Sequence, residues 1–284
     1  MSGERIPQIP EDWTVFAVSD IHGVVSGFLA ALRQAGIVDA EGHWSAPPRT
    51  ALVGCGDYVD RGNDVVGLLR LMRRLEEEAT IAGGQALFAR GNHEEMAVRG
   101  AAAEPSWLDS WMRYRGVATL RSYGCGPGCS GDPAQIRTAM EEADPGVLGW
   151  LAGLPEAVRW RDVLLLHGGL VPGYATADLG AATDDHLWIR AGFYAADRDD
   201  GSFDAYSADG IERVVFGHTP QDGGPTLFHD GRSICIDTNA VGNPDLPATT
   251  ARLLTLLELK EGPAFDTRDA ISVPTADAPE RYRD

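Results

Sequence analysis

Five short stretches of this 284-residue chain each set a metal-capable side chain beside a glycine. Ser19-Asp20-Ile21-His22-Gly23 carries Asp20 and His22. Gly56-Asp57-Tyr58-Val59-Asp60-Arg61-Gly62 carries Asp57 and Asp60. Gly91-Asn92-His93 carries Asn92 and His93, while Leu166-His167-Gly168-Gly169 and Gly217-His218 carry the remaining two histidines. Four of the seven histidines lie in these stretches. Any one stretch has a bland explanation, since Asp beside Gly makes a turn and a histidine at a strand end is more often a hydrogen-bonded structural residue. Together they would need five coincidences. Neutral imidazoles combined with carboxylate and amide oxygens suit Mn, Fe or Zn rather than soft-metal chemistry. Two Asp, one Asn and three His exceed the needs of one ion and suffice for two that share a carboxylate. A pair of divalent ions about 3.5–4 Å apart acidifies a water and neutralises phosphate oxygens at once. The chemistry indicated is phosphoester hydrolysis.

Such residues must be delivered by elements that end at one place. Thr14–Asp20 is an apolar run closed by polar residues and reads as a buried strand, followed by a helix over Gly27–Gln34 with Gly36 at its C-terminal end. Thr50–Gly56 reads as a second strand, a helix begins near Asn63 or Asp64, and Gln85–Ala89 reads as a third strand. This alternation predicts an α/β architecture with functional loops at the C-terminal strand ends. Between about Gly100 and Trp160 the pattern breaks into a helical insertion that includes a helix over PAQIRTAMEEA. Strands resume at Asp162–Gly169 and Arg213–Thr219, then in two runs joined by Asp230-Gly231, then at Arg252–Leu259. The division is a domain over 1–261, with the insertion at about 100–160, and a tail over 262–284. The tail is rich in Ala, Asp and Pro and is expected to wrap loosely or be disordered.

The formal charge of -18 and the absence of a local basic patch argue against nucleic-acid partners. The dense group Arg70 to Arg74 is followed at once by Glu76-Glu77-Glu78 and reads as a solvated mixed-charge face. No apolar run approaches the roughly 20 residues of a membrane span. With no export-type start, a soluble, cytoplasmic protein is the expectation. Cys55 and Cys235 lie in strand-like runs and read as buried thiols. Cys125 and Cys129 have a spacing that suits either zinc or a local disulfide, and no second Cys/His pair lies nearby to complete a zinc site.

The five stretches, in this order, resemble the signature series of the calcineurin-like metallophosphatases. Asp60-Arg61 and the glutamate after Asn92-His93 are similar to the phosphoprotein phosphatase branch, which includes bacterial and bacteriophage lambda-type Ser/Thr protein phosphatases and symmetrical diadenosine tetraphosphatases. The resemblance runs from about Thr14 to Leu259, with weaker echoes in GVATLRSYG, LWIR and IDTNAV. It implies a fold of two central mixed β-sheets flanked by helices, an α+β sandwich. It implies two divalent metal ions, manganese foremost, with iron or zinc as alternatives. Asp20 and His22 would hold the first ion, Asp57 would bridge, and Asn92, His167 and His218 would hold the second. A hydroxide between the ions would attack phosphorus directly, with no phosphoenzyme. His93 would protonate the leaving group and Asp60 would orient its ring. Arg61 would grip phosphate oxygens through its planar fork, with Asn92 beside it and Arg190 as a second clamp.

The activity implied is that of a Ser/Thr protein phosphatase acting on a phosphorylated protein or small phosphoester. Hydrolysis of dinucleoside polyphosphates is the alternative, and a nuclease or non-catalytic binding protein on the same fold is the alternative of a different class. His167-Gly168-Gly169 inclines toward the protein phosphatase side. The oligomeric state is open. Glu94 reads as a carboxylate favouring the first turn of a helix rather than as a contact supporting the ligands. His43, His186 and His229 read as structural or surface residues. The segment Trp111 to Val117 departs from the Trp-x-x-Asn-Gly-Gly often seen in bacterial relatives.

Overall fold

The computed structural model describes residues 6–126, 129–172, 175–176, 179, 185–194, 204–242, 246 and 250–275. Eleven strands are found among them: β1 (Gln8–Ile9), β2 (Thr14–Val18), β3 (Thr50–Gly54), β4 (Gln85–Phe88), β5 (Ala157–Trp160), β6 (Val163–Leu166), β7 (Arg213–Phe216), β8 (Thr226–Phe228), β9 (Ser233–Cys235), β10 (Leu253–Leu259) and β11 (Ala270–Pro274). They form a six-stranded sheet in the order β1-β5-β6-β7-β9-β8 and a five-stranded sheet in the order β11-β10-β2-β3-β4. Both are mixed. β2, β3 and β4 run parallel in one sheet and β6, β7 and β9 in the other, with antiparallel partners outside them.

Period-two alternation explains why the sheets stack. Val15, Ala17, Ala51 and Val53 point inward from one sheet and meet Val158, Val163, Leu165, Val215 and Ile234 from the other. The opposite faces are apolar as well, so each needs a cover. Leu52 and Phe88 lie under helices α1 (Val25–Gln34) and α2 (Val65–Ile81), while Leu164, Leu166, Val214 and Phe216 pack with Phe193, Tyr206 and Ile211. In α2, Asp64 is the N-cap and accepts from the Gly67 amide at 2.8 Å, and Leu68, Leu69, Met72, Leu75 and Ala79 form the buried face. Five further helices build the insertion and its approach: α3 (Asn92–Ala101), α4 (Pro105–Arg113), α5 (Val117–Ser122), α6 (Pro133–Ala143) and α7 (Val147–Ala152).

Three expectations need correction. The helical insertion does not extend to Trp160, because Ala157–Trp160 is β5 and pairs antiparallel with β6. The tail is not loose throughout. Ala270–Pro274 pairs with β10 along five residues, and Val273 is buried. The arginines of α2 are not simply solvated: Arg73 pairs with Asp144 at 2.7 Å and Arg70 donates to the Ala143 carbonyl, so this face docks the end of α6. The remaining tail residues, 276–284, lie outside those described. Cys125 and Cys129 form a disulfide, and Cys55 and Cys235 are buried thiols.

At the start of β7, the buried Arg213 guanidinium makes two 2.9 Å bonds to the Asp162 carboxylate and one to the Lys260 carbonyl. Burial alone would raise the Asp162 carboxyl, but Arg213 holds it below its ordinary value. The pairing therefore contributes fully above the ordinary carboxylate range and is lost as pH falls through the lowered value. Asp162→Ala leaves a buried cation without its partner and is expected to cost about 2–3 kcal/mol, less than for a fully enclosed pair because Asp162 is open to solvent. Chemical denaturation of the two proteins at neutral pH measures this.

Candidate active site

The loops after β2, β3, β4, β6 and β7 meet at one end of the sandwich. Backbone bonds tie them: Asp20 N to Gly56 O at 3.0 Å, His22 N to Asp57 O at 3.0 Å, and Gly217 N to His167 O at 2.8 Å. The His218 amide donates to Asp20 Oδ2 at 3.0 Å, linking one sheet to the other. Asp20, His22, Asp57, Asp60, Arg61 and His218 all have positive φ, between 45° and 69°. Non-glycine residues in this region store strain, and such strain gathers at functional sites. Gly56 shows why the loops need glycine, since with φ +93° a Cβ there would stand 2.6 Å from Gly91 Cα and 2.8 Å from His167 Nδ1. At Gly62 a Cβ would collide with the His22 carbonyl.

Asp57 lies at the centre. Its Oδ1 is 3.2 Å from His167 Nε2 and its Oδ2 is 3.6 Å from His22 Nε2 and 3.8 Å from His93 Nε2. Among the described residues, two groups offer ligand atoms within 4.8 Å of one another: His22, Asp57 and His93, and Asp57, His167 and His218. Asp57 belongs to both. His22 Nδ1 lies 2.7 Å from the Val59 carbonyl and His167 Nδ1 lies 2.9 Å from that of Cys55, so each donates its Nδ1–H outward and turns Nε2 inward. The buried Nε2 atoms of His22 and His218 have no hydrogen-bond partner. An orphaned buried nitrogen is costly, and a divalent cation would satisfy it.

The electrostatics agree with that fit. Burial, then the charge of Arg61, holds His22 well below its ordinary value, and burial, then His167, does the same for His218, so both stay neutral and able to ligate. Burial opposes the charge on Asp57, yet His167 and His93 hold it well below the carboxylate range. Burial also opposes the charge on His167, but Asp57 raises it to about 9. Asp20 is raised by burial and by Asp57, and Asp237 well raised by burial and by Asp20. Three buried carboxylates this close form a site short of positive charge, and these residues fit divalent ions.

The remaining candidates are placed as follows. Asp20 is not in either group of ligand atoms. Its Oδ2 accepts from the Ser19 hydroxyl and the His218 amide. Asn92 Oδ1 is 2.8 Å from His167 Nε2. His93 Nδ1 is 2.6 Å from Asp60 Oδ2, and Arg61 donates to His93 Nε2 at 3.0 Å. Arg190 is exposed and 3.5 Å from the Thr219 hydroxyl, next to His218, which puts it at the rim. His186 pairs with Glu156, His229 bridges Ser233 and the Phe193 carbonyl, and His43 pairs with Glu78 on the surface.

Glu94 departs from its sequence reading. It is fully buried, and its carboxylate accepts four backbone amides: Tyr58 and Val59 on Oε1, Asp57 and Gly91 on Oε2. It therefore caps α3, with Gly91 as N-cap, and also anchors the loop that carries Asp57. Sequence reasoning also missed Trp111 and Thr119, both bonded to Asp60, and an aromatic pair at the rim. The Tyr114 ring centre is 6.4 Å from that of His93, Trp188 is 6.2 Å from His218, and the two rings are 5.8 Å apart. The sequence signal for the pair was its place inside two segments already singled out, Tyr114 in Trp111 to Val117 and Trp188 in LWIR.

Comparison with known proteins supplies the deciding observation. The family described as calcineurin-like phosphoesterase matches residues 14–222, most of the chain. The chain belongs to this family. It is a phosphoesterase, a hydrolase of the metallophosphatase kind, with its metal-capable His/Asp cluster where the two sheets' loops meet. Shewanella-like protein phosphatase 2 of Arabidopsis thaliana is 25% identical over 273 residues, covering 78% of this chain and 70% of that one. Serine/threonine-protein phosphatase 1 of Salmonella typhimurium is 34% identical over 102 residues, 36% of this phosphoesterase and 38% of its own length. A solved cold-active protein-tyrosine phosphatase of a psychrophilic Shewanella has a TM-score of 0.63 at 22% identity, covering 89% of this chain and 78% of that chain, and shows the same fold.

Proposed function

We propose that this phosphoesterase is a Ser/Thr protein phosphatase that hydrolyses phosphomonoesters with two divalent ions, manganese foremost. The observation that carries the reading is the pair of orphaned Nε2 atoms, His22 and His218, on either side of an Asp57 that faces both. Asp20, His22 and Asp57 would hold one ion, and Asp57, Asn92, His167 and His218 the other. When bound, the ions supply Lewis acidity toward the phosphate and an acidified water. Arg61 and Arg190, with Asn92, bind the phosphate oxygens and fix the orientation of the ester. His93, its Nδ1–H held by Asp60, presents Nε2 to deliver a proton to the leaving oxygen. The protein phosphatase reading draws on the Salmonella relative and on His167-Gly168-Gly169. The acidic charge disfavours a nucleic-acid substrate.

The test is one purified sample stripped of metal, then reloaded with manganese. It is assayed on a phosphoserine peptide, an aryl phosphate and diadenosine tetraphosphate. Stripping is expected to abolish hydrolysis, manganese to restore it, and the peptide to be turned over with the highest kcat/KM. A clear preference for the dinucleotide would replace this reading with that of a tetraphosphatase.

A further inference from the structure

We propose that Trp111 and Thr119, from the helical insertion, are positioning residues for protonation of the leaving group, acting through Asp60 on His93. The inference rests on the reading in which His93 is the proton donor. Trp111 ends up against the site through α4, and Thr119 through α5. Asp60, Trp111 and Thr119 are all 0% exposed, so no solvent competes for the bonds between them.

Those bonds use the carboxylate completely. Asp60 Oδ2 accepts from His93 Nδ1 at 2.6 Å and from Trp111 Nε1 at 3.0 Å, while Oδ1 accepts from Trp111 Nε1 at 2.9 Å and from the Thr119 hydroxyl at 2.5 Å. The Asp60 amide donates back to Thr119 Oγ1 at 2.8 Å. Thr119 thus holds both the backbone and the side chain of a residue whose φ is 69°, a conformation that needs outside support. The indole N–H spans both oxygens and fixes the rotation of the carboxylate about its own axis. Without these donors the carboxylate can turn, and the ring of His93 turns with it. A general acid displaced from hydrogen-bond reach of the leaving oxygen loses its effect.

A positioning role differs from a structural one in its dependence on the leaving group. An ester with a stable leaving anion, such as p-nitrophenyl phosphate, gains little from protonation, whereas phenyl phosphate and a phosphoserine peptide gain much. Trp111→Phe keeps the packing but removes the N–H. In the manganese-loaded full chain it is expected to lower kcat about tenfold on phenyl phosphate and the peptide, and about twofold or less on p-nitrophenyl phosphate. KM and bound manganese should not change. Thr119→Val should show the same pattern and Thr119→Ser should stay close to the parent, which keeps the test available if the tryptophan variant folds poorly. In an Asp60→Asn background, Trp111→Phe should add no further leaving-group dependence. Equal losses on all three esters, or no loss, in Trp111→Phe and Thr119→Val would overturn the positioning role while leaving the proposed function in place. A parent protein that hydrolyses none of them with manganese would overturn the proposed function and this inference with it.

Discussion

His93→Asn is expected to reduce kcat on a phosphoserine peptide by about 10²–10⁴-fold, the range typical of a lost general acid, while manganese content stays near that of the parent. The amide nitrogen of asparagine can take over the bond from His93 Nδ1 to Asp60 Oδ2, now 2.6 Å, so the Asp60 side of the site is preserved. What disappears is the ring nitrogen Nε2, which lies 3.0 Å from Arg61 and 3.8 Å from Asp57 Oδ2. That nitrogen has two chemical uses. It belongs to the group of His22 and Asp57 whose ligand atoms lie within 4.8 Å of one another, so geometry also admits it as a ligand. The bonding of its ring argues for the proton donor. His22 and His167 each give Nδ1–H to a backbone carbonyl, whereas His93 gives it to the Asp60 carboxylate, the partner that orients the ring of a general acid. Elemental analysis beside the kinetics decides between the two. A matching fall in metal and activity would make His93 a ligand and leave the leaving group without an assigned acid.

How far the sequence was legible follows from where each residue's partners lie. β2, β3 and α2 are apolar runs whose own periodicity decides them, and α6 begins at Asp132-Pro133 with a cap and a first-turn proline, so Pro133–Ala143 was read to the residue. β5 and β11 have four and five residues and become strands only by pairing with β6 and β10. The metal-capable residues were readable because each follows its own strand, and the strands' C-terminal ends share one edge. Glu94 and Trp111 were not. Three of the four amides that Glu94 accepts are 35 to 37 positions away, and the partner of Trp111 is a carboxylate 51 away. Neither residue type announces such a contact, since glutamate in a first helical turn already has a sufficient local reason to be there.

Glu94→Ala is expected to cost about 3–5 kcal/mol of stability, below the sum for four buried donors because water can enter the space vacated. The amides of Asp57, Tyr58, Val59 and Gly91 all lie 2.8–3.1 Å from this one carboxylate, in backbone that the Asp57 loop and the start of α3 both need. Burial and the neighbouring charge of Asp57 both raise the Glu94 carboxyl, so the charge is held there at a cost that only those four bonds offset. Glutamine is not a conservative replacement. Each carboxylate oxygen accepts two amides, and an NH₂ at either position would face two donors with a third. Glu94→Gln is therefore expected to lose about 2–4 kcal/mol, most of the alanine penalty. In a chain of this size each kcal/mol shifts Tm by roughly 2–4 °C, so Glu94→Ala should melt about 10 °C below the parent. Manganese should also bind it more weakly, because the loop that presents Asp57 is no longer held in the strained φ of 60°. Thermal melts of the parent and both variants, with and without manganese, measure all of this. A Glu94→Gln protein melting within a degree of the parent would reduce Glu94 to an ordinary helix cap.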